Sequence, residues 1–233
     1  MQSPDAHLPQ TARQILDVAE RLWAERGIAG ASLREIVLAS GTRNLSAAQY
    51  HFGSREALLA LLIGRRVYFI NELRHARLDA LDASHSMGDA AAVVTETVRA
   101  LADVVRDQPW GSNYVRVVAQ VLLDPASQAV FEQSDWSNWS GHERTRLLLR
   151  ALLPTLSEAD FRDRLRIVNN EIVFCLARWV QSHGGVTAQT RTRYETLVRH
   201  TAAFLAAGMV AAAPVPAPAR PRLATRKPRR KAA

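Results

Sequence analysis

Residues 33–58 constrain the fold more tightly than any other stretch of the chain. Leu33, Ile36 and Val37 recur at helical spacing, Gly41 supplies the positive φ that ends a helix, and Asn44 is placed to cap a second, short helix. The pattern is helix, turn, helix. Ser54 then opens a further helix, with Arg55 and Glu56 in its first turn and Ala57, Leu58, Leu59, Leu61 and Leu62 as a packing face. Three helices this close in sequence, joined by turns too short to reach elsewhere, must pack on one another.

A helix, a glycine turn and a helix also occur in enzymes, so the side chains have to narrow the reading. The second helix, expected at roughly 45–51, opens on Leu45 and carries Ser46, Ala47 and Ala48, which leave almost no bulk. Such a helix can lie deep in a major groove about 12 Å wide, where Arg43, Asn44, Ser46 and Gln49 can read base edges or hold phosphates. Tyr50, His51 and Arg55 follow as hydrogen-bond donors near the DNA backbone.

This part of the chain resembles the TetR-type transcriptional regulators. The resemblance rests on Ile15, Leu16 and Ala19; on Ala24, Glu25 and Gly27; on Ser32, Leu33, Arg34 and Ile36; and on His51, Phe52, Ser54, Arg55, Glu56 and Leu58. It covers residues 11–60. Two departures fall on the reading surface. One extra residue stands between Gly41 and Phe52, so the turn holding Thr42, Arg43 and Asn44 is expected to be longer. Gln49 occupies a place where the family commonly has a phosphate-binding tyrosine.

Composition bounds the remainder. Hydrophobic residues make up 48% of the 233, enough to bury a real core, without the run of ~20 apolar residues that a membrane helix needs. The polar start, Met1 to Pro9, shows no apolar export segment, so a cytoplasmic protein with no membrane partner is expected. The lone cysteine, Cys175, excludes an internal disulfide framework and reads as a small buried hydrophobe. Net charge is +8, of which the seven cations of 214–233 account for +7, leaving +1 for the rest. DNA binding therefore rests on the motif, not on a basic surface. The tail is rich in Pro and Ala and lacks aromatics, which predicts disorder; it reads either as a solvated tail or as sequence-independent phosphate contact. Only two of the thirty basic residues are lysine, consistent with a gene of high G+C content.

The rest of the chain reads as helix. A first helix, Gln10 to Arg26, places Ile15, Leu16, Ala19, Leu22 and Trp23 on one face, stopped by Gly27; Ser32 caps the next. The helix after Ser54 should run to about Ala83, a rod long enough to join a DNA-reading head to a second domain, with Leu58, Leu62, Arg65, Phe69, Glu72 and Leu73 as its seam. Val93, Val94, Thr97, Val98, Leu101 and Val105 mark another helix; Pro109 and Pro125 open two more. A capping box at Ser157–Asp160, with Asp in place of Glu, starts a helix to His183, and Gly184–Gly185 turn it into a last helix over about 188–211. The expected fold is all-α: a disordered arm (1–9), a three-helix helix-turn-helix DNA-binding domain (10–54), a helical ligand-binding and dimerisation bundle (55–211) joined to it by the long helix, and a disordered basic tail (212–233).

Within the bundle, Trp110, Tyr114, Phe131, Trp136 and Trp139 cluster although aromatics are only 6% of the chain. They read as core filling or as the wall of a pocket for a small apolar or aromatic effector. Phe174 belongs with them. The polar stretch 133–142 reads as an entry loop or a surface kink, and Asn169, Asn170 and Glu171 interrupt an apolar helix, with Asn170 or Glu171 a candidate anchor. Leu176 and Trp179, with Leu197, Thr201, Phe204 and Leu205, form stripes that can pair with their copies. The family resemblance implies that homodimer, and helix-turn-helix geometry wants half-sites about 34 Å apart.

No catalytic constellation can be assembled: the seven histidines show no His-x-x-x-His pair, there is no metal-ligand spacing, and no Gly-rich loop could cradle phosphate. No metal and no cofactor are expected. The reading is a non-enzymatic, ligand-responsive regulator, a repressor, whose partners are a double-stranded DNA operator, a second copy of the chain and a small effector. The alternative is a helical ligand carrier, or an adaptor whose head binds protein.

Overall fold

A computed structural model describes residues 8–42, 52–132 and 140–212, and among these the chain forms nine helices and no strand. In chain order they are α1 (Gln10–Arg26), α2 (Leu33–Ala39), α3 (Arg55–Ala83), α4 (Ala90–Asp107), α5 (Gly111–Leu123), α6 (Pro125–Glu132), α7 (Ser140–Leu152), α8 (Glu158–His183) and α9 (Arg191–Val210). The expected recognition helix at 45–51 lies outside the described residues, as do the arm up to His7 and the tail from Ala213.

Cap chemistry fixes the helix ends. Gly27, at φ 88°, ends α1 with its N–H on the Trp23 carbonyl, a conformation that costs glycine no Cβ clash. Ser32 opens α2 with a reciprocal box: its hydroxyl accepts the Glu35 N–H, and the Glu35 carboxylate accepts the Ser32 N–H at 2.8 Å. At α8 the shorter Asp160 changes the arrangement. Ser157 Oγ accepts the Asp160 N–H and donates to Asp160 Oδ2 at 2.6 Å, as the Ser32 hydroxyl does to Glu35 at 2.7 Å; the bond from the cap's own backbone N–H is the part that distinguishes the glutamate box. The last helix starts at Arg191, three residues later than the sequence suggests, because Thr187 and Thr190 bond to each other's backbone and hold a turn.

Two apolar clusters organise the helices. The N-terminal cluster gathers α1, α2 and the first half of α3 around Trp23, Ile36 and Leu62, and it includes Val117 and Val121 from α5. The larger one draws α4, α5, α7, α8 and α9 around the far half of α3. Helix α4 runs through its middle, with Val93, Val94, Val98 and Val104 fully enclosed, and the Tyr194 hydroxyl of α9 donates to the Ala102 carbonyl at 2.7 Å.

The seam of α3 differs in phase from the sequence reading. The buried line is Leu58, Leu62, Arg66, Ile70, Arg74 and Leu78; Arg65 is half-buried, while Phe69 and Glu72 are exposed. Helix α3 is clad on two sides, by the head at one end and by the bundle at the other, so a single apolar stripe does not describe it. Arginines fill the changeover.

Candidate functional site

The polar groups of α3 are held in different ways along its length. Arg66 forks onto buried Glu20 of α1, with Nε at 3.1 Å and Nη2 at 2.5 Å, reaches Asp17 at 3.2 Å, and lies 4.2 Å over the Trp110 ring centroid. Burial raises the Glu20 carboxyl above its ordinary range, while the Arg66 guanidinium pulls it down. Trp110 in turn meets Phe69 and Tyr114 edge-on, at 5.5 and 5.9 Å between centroids. This aromatic group stands where the head meets the bundle.

Helix α5 crosses that junction and serves both sides. Gln120 donates to the Trp23 carbonyl at 3.0 Å and accepts the Ile28 N–H at 2.9 Å, tying α5 to the end of α1. Val117 and Val121 pack into the head cluster. Tyr114, Val115, Val118 and Leu122 face instead a cavity of about 580 Å³ between α3, α5, α7 and α8. That volume suits a drug-sized molecule. Val67 and Ile70 of α3, Leu101 of α4, and Leu165, Ile172 and Val173 of α8 supply the rest of its apolar wall.

Polar residues on the same cavity come from α3, α7 and α8: Arg74, His142, Asn169 and Asn170 inside, with Glu143, Arg146, Arg162 and Arg166 toward solvent. Gly141 lets α7 approach α3, since a Cβ there would meet Asn71 Oδ1 at 2.7 Å and Arg74 Cβ at 3.2 Å. The close crossing sets His142 Nδ1 2.8 Å from Arg74 Nη1. A guanidinium only donates, so His142 accepts at Nδ1 and carries its proton on Nε2. Enclosure of the ring, with the Arg74 charge beside it, keeps His142 well below its ordinary pKa and therefore neutral. Burial pushes Arg74 down to about 10, which still leaves it charged at neutral pH.

Of the residues singled out in the sequence for a pocket, Tyr114 and Asn170 line this cavity. Trp110 sits at the junction, and Phe174 is half-buried on α8 away from the lining. Trp136, Trp139 and the Phe131 side chain lie outside what is described. Glu171 is exposed. Arg74, His142 and the α8 arginines were not singled out; the phase of Arg74, four residues after Ile70 and four before Leu78, is the signal that would have found it.

On the outer side, Leu176, Trp179 and Leu205 are buried in the chain's own core, Leu197 and Thr201 are half-buried, and Phe204 is 79% exposed. Ala203, Ala207, Gly208 and Val210 share that exposed face of α9, and Ile167 is exposed on α8. The two helices are stitched at Cys175 Sγ and Thr201 Oγ1, 3.1 Å apart. Of the residues expected to touch DNA, Arg55 is described: it is half-exposed at the start of α3 and paired with Glu56 at 3.2 Å. Arg43, Asn44, Leu45, Ser46, Gln49, Tyr50 and His51 lie outside the described residues. No described helix is long and apolar enough to cross a membrane.

Comparison with known proteins locates both halves. Residues 15–62 match the family model of bacterial regulatory proteins of the tetR family, and residues 96–208 match that of the tetracyclin repressor-like C-terminal domain. No curated protein matches the chain. Among solved structures, a putative tetR family transcription regulator from Shewanella sp. PV-4 is similar, at 17% identity and a TM-score of 0.63, over 84% of this chain and 96% of that one. The transcriptional regulator FadR from Bacillus subtilis, solved in complex with stearoyl-CoA, is similar at 15% identity and a TM-score of 0.55, over 84% and 98%. At such identities the two structures speak for the fold.

Proposed function

The chain belongs to the TetR family of transcription regulators, and from that premise we propose that it is a homodimeric repressor released from its operator by a small, largely apolar effector. The observation that carries this reading is helix α5, which lines the cavity with Tyr114, Val115 and Val118 and packs Val117 and Val121 into the head. An occupant that moves α5 moves the head. In this reading the chain divides near the start of α3, with residues 10–54 reading DNA and 55–211 binding effector and partner. A bound stearoyl-CoA in the Bacillus neighbour supports a ligand with a long apolar part.

Arg43, Asn44, Ser46 and Gln49 read base edges or hold phosphates, Leu45 opens the helix that carries them, and Tyr50, His51 and Arg55 follow as hydrogen-bond donors near the DNA backbone. Two such heads are paired through α8 and α9, where Phe204, Ala203, Ala207 and Gly208 offer an exposed apolar face with Leu197 and Thr201 at its edge. The effector has to favour one spacing of the heads; a tenfold loss of operator affinity needs about 1.4 kcal/mol of differential binding.

The test is selection of duplexes from a randomised pool by the full chain, followed by anisotropy titration of the winners at about 50 and about 200 mM salt. The reading requires an enriched inverted repeat and a steep fall in affinity with salt. No enrichment and no salt dependence would leave the adaptor reading standing instead.

A further inference from the structure

The arginines of α3 are unequal. Arg65 and Arg66 pair with Asp17 and Glu20, and Arg77 with Glu96 and Asp103. Arg74 is more enclosed than Arg65 or Arg77, at 7% exposure, yet no carboxylate among the described residues lies within ion-pair distance of it. Among the described residues its hydrogen-bond partners are the neutral ring of His142 and, at 3.4 Å, the amide oxygen of Asn71, and its Nε has none. A buried cation normally comes with a counter-charge, because losing water is costly for an ion and dipoles replace it only in part. Here the guanidinium lines a cavity whose remaining inner wall is mostly apolar. His142 cannot supply the missing charge, and the nearest acid on the lining, Glu143, is exposed and committed to Arg146 by two bonds of 2.7 and 2.8 Å.

We infer that the effector is an amphipathic acid: an apolar body lying against Val115, Val118 and Val173, with a single anionic group held by Arg74 inside the cavity. This rests on the reading of the cavity as the effector site and names the chemical class it takes. The planar fork of Arg74 matches a carboxylate, and a charge-assisted pair there is stronger than the same pair in water. Asn170 and Tyr114, both on the lining, are within the same chamber to complete its hydrogen bonds. The rim arginines Arg146 and Arg166 already have Glu143 and Asp163. An anion left at the rim would fall to exposed Arg162, and the test separates that case.

Calorimetric titration of the full-length protein, without DNA, with decanoate and with 1-decanol compares the same tail with and without the charge. Wild type should bind decanoate at least tenfold more tightly than the alcohol. Arg74→Met should abolish that preference while keeping the alcohol's affinity, and Arg162→Ala should leave the preference intact. Removing an uncompensated buried charge should also raise the Tm of the ligand-free Arg74→Met protein by roughly 2–4 °C, which a merely structural arginine would not do. Equal binding of acid and alcohol overturns the inference and leaves the effector-cavity reading in place. So does a preference that survives Arg74→Met, or one that disappears in Arg162→Ala. Binding of neither probe also overturns it, and the DNA selection described above, which needs no ligand, then decides separately whether the regulator reading stands.

Discussion

Replacing Arg66 with leucine removes the guanidinium that joins α1, α3 and the aromatic junction. Glu20 is left 2% exposed with no partner for its charge, while Asp17, whose side chain is 55% exposed, can fall back on water. Breaking a buried pair from one side costs about 3–5 kcal/mol. For a chain of this size, each kcal/mol moves Tm by about 2–4 °C, so the expected fall is roughly 6–20 °C. Circular dichroism melts at fixed protein concentration read it directly.

The pH dependence of the Arg66→Leu protein has a definite sign. Burial already raises Glu20 above its ordinary value of 4.5, and Arg66 opposes that rise. Without Arg66 the folded state holds the Glu20 proton more tightly still. Below the unfolded pKa both states are protonated and the deficit is small; as pH climbs through the window up to the raised folded value, the unfolded state ionises Glu20 while the folded state keeps its proton, and stability is lost until, above that value, the folded state buries a bare carboxylate. The Tm deficit of Arg66→Leu should therefore be larger at pH 7 than at pH 5. Replacing both residues, Glu20→Leu with Arg66→Leu, removes the stranded charge and should recover most of the loss. A double variant as unstable as the single one would show that the cost comes from lost packing on Trp110, and the electrostatic argument would fail.

Three further outcomes are expected. Gln120→Leu keeps the volume but strands the Ile28 N–H, so a loss of about 1–3 kcal/mol is expected in chemical denaturation, together with a weaker effect of any effector on operator binding. Gly141→Ala places a methyl against Asn71 and Arg74, and should destabilise by about 1–3 kcal/mol while separating His142 from Arg74, which NMR of the His142 ring would register. Phe204→Glu puts charge on an exposed face, so helicity and Tm at high dilution should hold; sedimentation should show monomers where wild type shows dimers.

The helix ends that residue chemistry dictates were legible in the sequence. Gly27 and Ser54 define α1 and α3 to the residue because one needs a positive φ and the other a free acceptor for the Ala57 N–H. Family membership was legible from the fixed spacing of residues 15–58, and both family models agree with it. The phase of α3 was not legible: the seam expected through Arg65, Phe69 and Glu72 gives way to Arg66, Ile70 and Arg74, and nothing in an arginine's spacing tells whether it is stacked on Trp110 or faces a cavity. Nor could apolar stripes name their cover. Leu176, Trp179 and Leu205 form the periodic pattern of a pairing face, yet the chain itself encloses them. Periodicity reports that a face is covered and is silent on which element does the covering. Asn170 was accessible to sequence reasoning because a polar break inside a buried helix has few explanations.

Helix α5 is a partition one helix thick, about 10 Å across with its side chains, and consecutive residues Val117 and Val118 look into different rooms. A message from effector to DNA would thus have no corridor to travel. What matters is which wall of the chamber a molecule leans on. Two compounds of equal affinity, one resting against α5 and the other only against α7 and α8, would differ as inducer and silent occupant.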